Sequence, residues 1–171
     1  MFLSTPLKNF VLGLGASDGT IKEALTLGRL FIFTGPVPAS ADAALDVTSG
    51  TGLHTQLVEM TVGGLGATGL SFGVAASGSL PKAAEVWEGP IIPTGALTAL
   101  GTYEPTFLRF CETGDDGRTV ANLVSEKRIQ MTCNSAGTGE IYCPALVAIA
   151  GPSYNTRGFG AFFIRILDIS F

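Results

Sequence analysis

Charge is scarce in this 171-residue chain: Asp, Glu, Lys and Arg together make up 14% of it. A net charge of −4 and a pI near 4.9 exclude the basic stripe that counterion release on nucleic acid requires. Histidine is scarcer still. His54 stands alone, which removes most triads, zinc sites and imidazole relays, and its Gly-rich surroundings place it on a surface loop. Cys111, Cys133 and Cys143 are odd in number and lack metal-type spacing, so reduced, buried thiols in a cytosolic product are expected, with one bridge among them left open. Cys111 and Cys143 lie in apolar runs with no nearby base, which argues against a nucleophile. Mean hydropathy is high at +0.42, yet no run approaches the roughly 18 apolar residues of a membrane span. Nor does Phe10 to Ala16 read as a signal-peptide core: Lys8 is the only positive charge before it, Pro6 comes early, and no Ala-x-Ala site follows.

What the chain does contain is glycine, 23 residues, and 46% hydrophobic residues, a composition suited to closely packed strands joined by turns. Its length supports one core burying about 70% of the unfolded surface. Apolarity without a membrane span points to burial against neighbouring subunits, hence to an assembly component. The Ser4-Thr5-Pro6 start predicts a short capped helix with Leu7, Phe10, Val11 and Leu14 on one face, an amphipathic arm that must dock to hold. Thr20 to Leu27 predicts a second helical turn.

The run Arg29 to Thr34 is a dense strand signal, ended by Pro36 and Pro38, and Ser40 is placed to cap a helical turn over 40–44. Thr55 to Val62 alternates as a half-buried strand and pairs across the Gly63–Gly69 cluster with Leu70 to Ala75 as a hairpin. Further strands are expected at 84–88, 106–112, 128–133, 141–150 and 159–171, with Arg128, Gln130 and Thr132 on a polar face and Pro144 marking an edge or bulge. Residues 89–105, rich in Pro and Gly, predict a long loop or extended arm. The result is an all-β fold, an antiparallel β-sandwich over 28–171 preceded by an arm or helix over 1–27.

Few motifs carry chemistry. Gly64-Leu65-Gly66-Ala67-Thr68-Gly69 fits G-x-G-x-x-G, but a strand and not a helix follows, so a turn is the expectation. Glu112, Asp115 and Asp116 gather three carboxylates at a hairpin tip; without EF-hand spacing they are expected to be a solvated turn rather than a Ca²⁺ site. Trp87, the sole tryptophan, is either a core plug, the default, or an interface anchor.

The run Thr34-Gly35-Pro36-Val37-Pro38-Ala39-Ser40-Ala41-Asp42-Ala43-Ala44 resembles a pattern in small virion-associated proteins of tailed bacteriophages. Gly69 to Gly89, Phe107 to Cys111 and Arg128 to Gln130 keep the same order, so the resemblance covers about residues 28 to 132. Gly89 to Pro105 is longer and richer in Pro than that pattern, and Asn134 to Gly158 does not follow it. The resemblance implies a structural, non-enzymatic role in the particle. The leading expectation is a capsid decoration or cement protein, made in the host cytoplasm and located on the virion capsid surface. Its partners would be the major capsid protein and other copies of itself, with no nucleic acid, membrane, cofactor or metal. Pro6, Leu7, Phe10, Val11 and Leu14 of the arm, with Trp87, Pro90, Ile91, Ile92 and Pro93, are the candidate interface residues. Alternatives are a tail, baseplate or connector component, or a fibre-borne glycan-binding module stacking sugars on Trp87, Tyr103, Tyr142 and Tyr154.

Overall fold

The computed structural model describes residues 1–13, 19–47, 52–64, 68–74, 79–85, 87–89, 91–94, 101–121, 126–142, 146–148, 162–164 and 168–170. The chain enters through β1 (Phe2–Leu3), α1 (Thr5–Val11) and α2 (Ile21–Leu25). β2 (Arg29–Thr34), β3 (Thr55–Val62), β4 (Ser79–Pro81), β5 (Trp87–Gly89), β6 (Ile91–Thr94) and β7 (Gly101–Tyr103) follow. The rest is β8 (Phe107–Cys111), β9 (Arg128–Asn134), β10 (Ile141–Tyr142), β11 (Leu146–Ala148), β12 (Phe162–Ile164) and β13 (Asp168–Ser170). The protein is all-β, as expected. Nine strands join in one sheet ordered β1-β9-β8-β2-β3-β5-β12, with β10 beside β9 and β6 beside β3, while β11-β7 and β13-β4 form separate two-stranded ladders. Every pair is antiparallel except β10 with β9.

Register explains the core. Ile129, Phe110, Leu30 and Met60 lie opposite one another across β9-β8-β2-β3, and Met131, Leu108, Ile32 and Val58 form the next row. All belong to one buried cluster that Leu7 of α1, Leu25 of α2, Phe72 and Trp87 complete. Each such side chain contributes about 1.5–3 kcal/mol by leaving water. Both helices form where expected, the first at its Ser4 cap and the second within Thr20 to Leu27. Ser4 Oγ accepts from Leu7 N at 3.4 Å, and Thr20 with Glu23 makes a reciprocal capping box, each satisfying amides that a helix start leaves open. At seven and five residues these helices are too short to stand alone and persist because Leu7 and Leu25 are sealed against the sheet.

Several local expectations give way to tertiary demands. β3 does not make a hairpin with 70–75: both its edges are occupied, by β2 on one side and by β5 and β6 on the other. Leu70 instead bridges to Gly28 and Phe72 to Lys82. Residues 89–105 are not simply a loop, since β6 and β7 fall within them. No helical turn forms over 40–44, because that segment packs as turns on the second face of the sheet, where Ser40 O accepts from buried Arg109 and Asp42 O from Ala121 N. β3 and β9 are buried on both faces for the same reason.

A β-bulge sits in β3. Ile32 pairs with Val58 but Phe33 pairs with Gln56, leaving Leu57 as the extra residue. Leu57 thereby joins Val58 and Met60 in the main core, and Gln56 is turned to the opposite face beside Phe33.

Candidate functional site

Arg128, Gln130 and Thr132 were expected on a polar face of their strand, and that face belongs to the second side of the sheet. It is polar and closed. Phe31, Phe33, Phe107, Cys111 and Leu45 form a small apolar cluster there. Beside it, Arg109, Arg128 and Gln130 are fully buried under residues 36–46 and 113–121.

Arg109 donates from Nε to Gln130 Oε1 at 2.9 Å, from one terminal nitrogen to Gly117 O at 2.7 Å, and from the other to Ser40 O at 3.3 Å. Gln130 in turn donates to Pro38 O at 2.8 Å. Arg128 grips the Asp115 carboxylate with Nε and a terminal nitrogen, the latter at 2.7 Å, and reaches Thr119 O at 2.8 Å and Glu126 Oε2 at 3.2 Å. Asp115 also accepts from Gly117 N at 2.9 Å. Two guanidiniums thus find carbonyl and carboxylate partners for their planar forks, the condition for holding charge away from water. Burial, with Arg128 nearby, lowers Arg109 to about 10, and the group stays charged at neutral pH. Burial also pulls on Arg128, but the hydrogen bonds and charge of Asp115 outweigh it and the value rises. Burial and then the Asp115 charge push the Cys111 thiol well up, so it is an inert core residue.

The three carboxylates of the 112–116 segment do not share a solvated tip. Glu112 pairs with Lys127 at 3.1 Å, Asp115 with Arg128, and Asp116 accepts from the amides of Arg118 and Thr119 at 2.8 and 3.2 Å. Among the described residues no group of His, Cys, Asp and Glu is arranged to hold a metal ion. His54 is also buried, not on the surface. Its Nδ1 accepts from Asp46 N at 3.1 Å and its Nε2 lies 2.9 Å from Pro36 O, so the tautomer with hydrogen on Nε2 fits both partners.

Alongside the network lies a groove of about 300 Å³ between β2, β3 and the 114–118 turn. Arg29, Phe31, Gln56, Glu59, Asp116 and Arg118 line it, Phe31 and Gln56 being buried and the charged side chains partly exposed. Arg29 meets Glu59 at 2.5 Å, and Arg118 Nε lies 3.5 Å from Asp116. Gln56 is different. It is 4% exposed, and among the described residues nothing hydrogen-bonds its carboxamide.

The residues expected at an interface are distributed unevenly. Leu7 and Trp87 are wholly buried within this chain; Trp87 packs against Phe72 and Phe110 and donates from Nε1 to Glu85 at 3.1 Å. Pro6 is buried and Phe10 half-buried under Lys127, whose ammonium lies 5.1 Å from the ring centre. Val11 is exposed. Ile91, Ile92 and Pro93 are placed in β6 by backbone, while Leu14 and Pro90 lie outside the described residues. Of the residues suggested for sugar stacking, Trp87 has no accessible face and Tyr103 packs partly against the core. Tyr142 is placed by backbone in β10, and Tyr154 lies outside the described residues. Comparison with protein-family models, characterised proteins and solved structures finds no match.

Sequence reasoning missed the buried arginines, the bulge and Gln56. Arg128 and Gln130 alternate with apolar residues just as a solvated face would. The usable signal was the turn-rich 36–46 segment, which has few side chains of its own to bury and many carbonyls to offer.

Proposed function

We propose that this protein is a non-enzymatic structural component of a tailed-phage virion, a head decoration or cement protein that binds major capsid subunits through exposed apolar side chains. The observation that carries the reading is Leu27. It is 53% exposed and holds φ at 60°, a left-handed conformation that costs an L-residue about 1–2 kcal/mol and that Gly or Asn adopts more readily. Thr113 Oγ1 fixes it by donating to Leu27 O at 2.8 Å. Strain persists where the surroundings over-determine it and clusters at functional positions, so we read the apolar side chain held out to water here as a contact point. Leu12, Val11, Phe2 and Met1 are likewise exposed on the N-terminal elements. The phage-like order of residues 28 to 132 supplies the kind of partner. Weak apolar contacts repeated over many subunits sum to firm attachment.

The test is co-sedimentation of the purified protein with heads assembled from the major capsid protein of the same phage. Saturable binding that Leu27→Asp and Leu12→Asp abolish, with unchanged melting temperature, is expected; both positions are exposed, and Asp tolerates the left-handed region. No binding to heads, or binding indifferent to both substitutions, overturns the reading. Immunogold label on tails instead of heads assigns the chain to a connector or baseplate.

A further inference from the structure

We propose that the groove between β2, β3 and the 114–118 turn binds a neutral saccharide, with the Gln56 carboxamide as its central polar contact. This stands independently of the decoration role.

The argument begins with the bulge at Leu57, which turns Gln56 out of the main core and into the groove. A buried carboxamide brings one acceptor oxygen and two donor hydrogens, and leaving them unmet is costly enough that nearly all such groups in folded proteins have partners. Gln56 is 96% buried and unbonded among the described residues, and it faces a space of about 300 Å³, at the small end of ligand sites and large enough for a single sugar ring. A complementary group in the groove is the direct way to satisfy it.

The charges around it select the class of ligand. Arg29 is already paired with Glu59, and Arg118 lies by Asp116, whose carboxyl is lowered despite burial by the amides of Arg118 and Thr119. Asp115, also in the lining, is neutralised by Arg128. The groove therefore has both signs and no excess of either. An anion such as phosphate would meet Glu59 and Asp116, a cation would meet Arg29 and Arg118, and each would have to break an existing pair. A hydroxyl needs no such exchange. It can donate to a carboxylate lone pair and accept from a terminal N–H of Arg118, whose Nε alone faces Asp116, while both ion pairs persist. Adjacent hydroxyls on one ring match this alternation of donors and acceptors, and Phe31 is the apolar residue of the lining.

The probes are the methyl glycosides of glucose, galactose, mannose and N-acetylglucosamine, titrated to about 50 mM against ¹⁵N-labelled full-length protein. At least one should give saturable shifts confined to the Gln56 side-chain amide, the Gly114 amide and the Arg29 and Arg118 Nε signals. Gln56→Leu should weaken binding at least about tenfold while leaving the melting temperature of the free protein equal or higher, since an unmet amide is removed. Arg118→Gln, at a partly exposed position, should weaken binding without disturbing the fold and decides the matter should Gln56→Leu not fold. Failure of all four glycosides to shift these signals overturns the proposal. Shifts produced by sodium phosphate or glycine betaine in place of the sugars overturn it equally.

Discussion

Removing the Asp115 charge leaves Arg128 buried without its main counter-ion. Arg128 and Asp115 side chains are 0% and 1% exposed, and the guanidinium grips the carboxylate with two nitrogens. Breaking a buried pair from one side typically costs about 3–5 kcal/mol. Arg128 would keep Thr119 O and the Glu126 carboxylate, which is itself 28% exposed, so Asp115→Asn belongs at the lower end, about 3 kcal/mol. Asp115→Ala also strips the acceptor from Gly117 N and should cost about 1 kcal/mol more. For a chain of this size the loss corresponds to a fall in melting temperature of about 6–16 °C. Urea titration followed by circular dichroism and by fluorescence of the single, core-packed Trp87 would measure it. The double variant Asp115→Leu with Arg128→Met should recover most of the loss, because an apolar pair of similar volume carries no desolvation penalty. A cost below about 1 kcal/mol for Asp115→Asn would refute the view that this pair holds residues 113–121 on the sheet.

Other outcomes follow from single contacts. A Cβ at Gly69 would lie 1.8 Å from the backbone oxygen of Leu27, so Gly69→Ala should cost more than about 3 kcal/mol or abolish soluble expression, whereas Gly114→Ala, with open space around it, should cost only about 1 kcal/mol in the same denaturation assay. Thr20→Ala should remove about 1 kcal/mol through loss of the α2 capping box, read as a small drop in urea midpoint. Burial acts to raise the Glu85 pKa, but hydrogen bonds from Ser71 and Trp87 outweigh it and hold the group below its ordinary value of 4.5. Between the two values the unfolded chain binds more protons than the native one, so this contribution is complete above about pH 5 and lost as pH falls through the lowered value; Glu85→Gln should flatten the acid limb of stability measured from about pH 6 to pH 3. Cys111 is a fully buried thiol and should react with a thiol reagent only at the rate of unfolding.

The strands with the strongest apolar patterns, β2, β3, β8 and β9, the capped start of α1 and the helical turn at α2 were legible because they depend on neighbours one to four residues away. A capping box, a proline stop or a period of two is written locally. The all-β class follows from them. The fate of the polar positions was not legible. Arg109, Arg128 and Gln130 sit on strands exactly as surface residues would, and only the passage of residues 36–46 and 113–121 over that face decided that they are buried. Their partners at Pro38, Ser40, Asp115, Gly117 and Thr119 are mostly backbone atoms, which every residue carries and no composition reveals. The same holds for the Leu57 bulge. A one-residue shift reverses which face a side chain meets, and it is set by the pairing of β3 with β2 and β6, contacts distant in sequence. The chain by itself determined the strongest strands, β2, β3, β8 and β9, and the places where α1 and α2 begin. The tertiary structure alone decided that a polar face is closed and that Gln56 faces a groove, because burial and register depend on what packs from elsewhere in the chain.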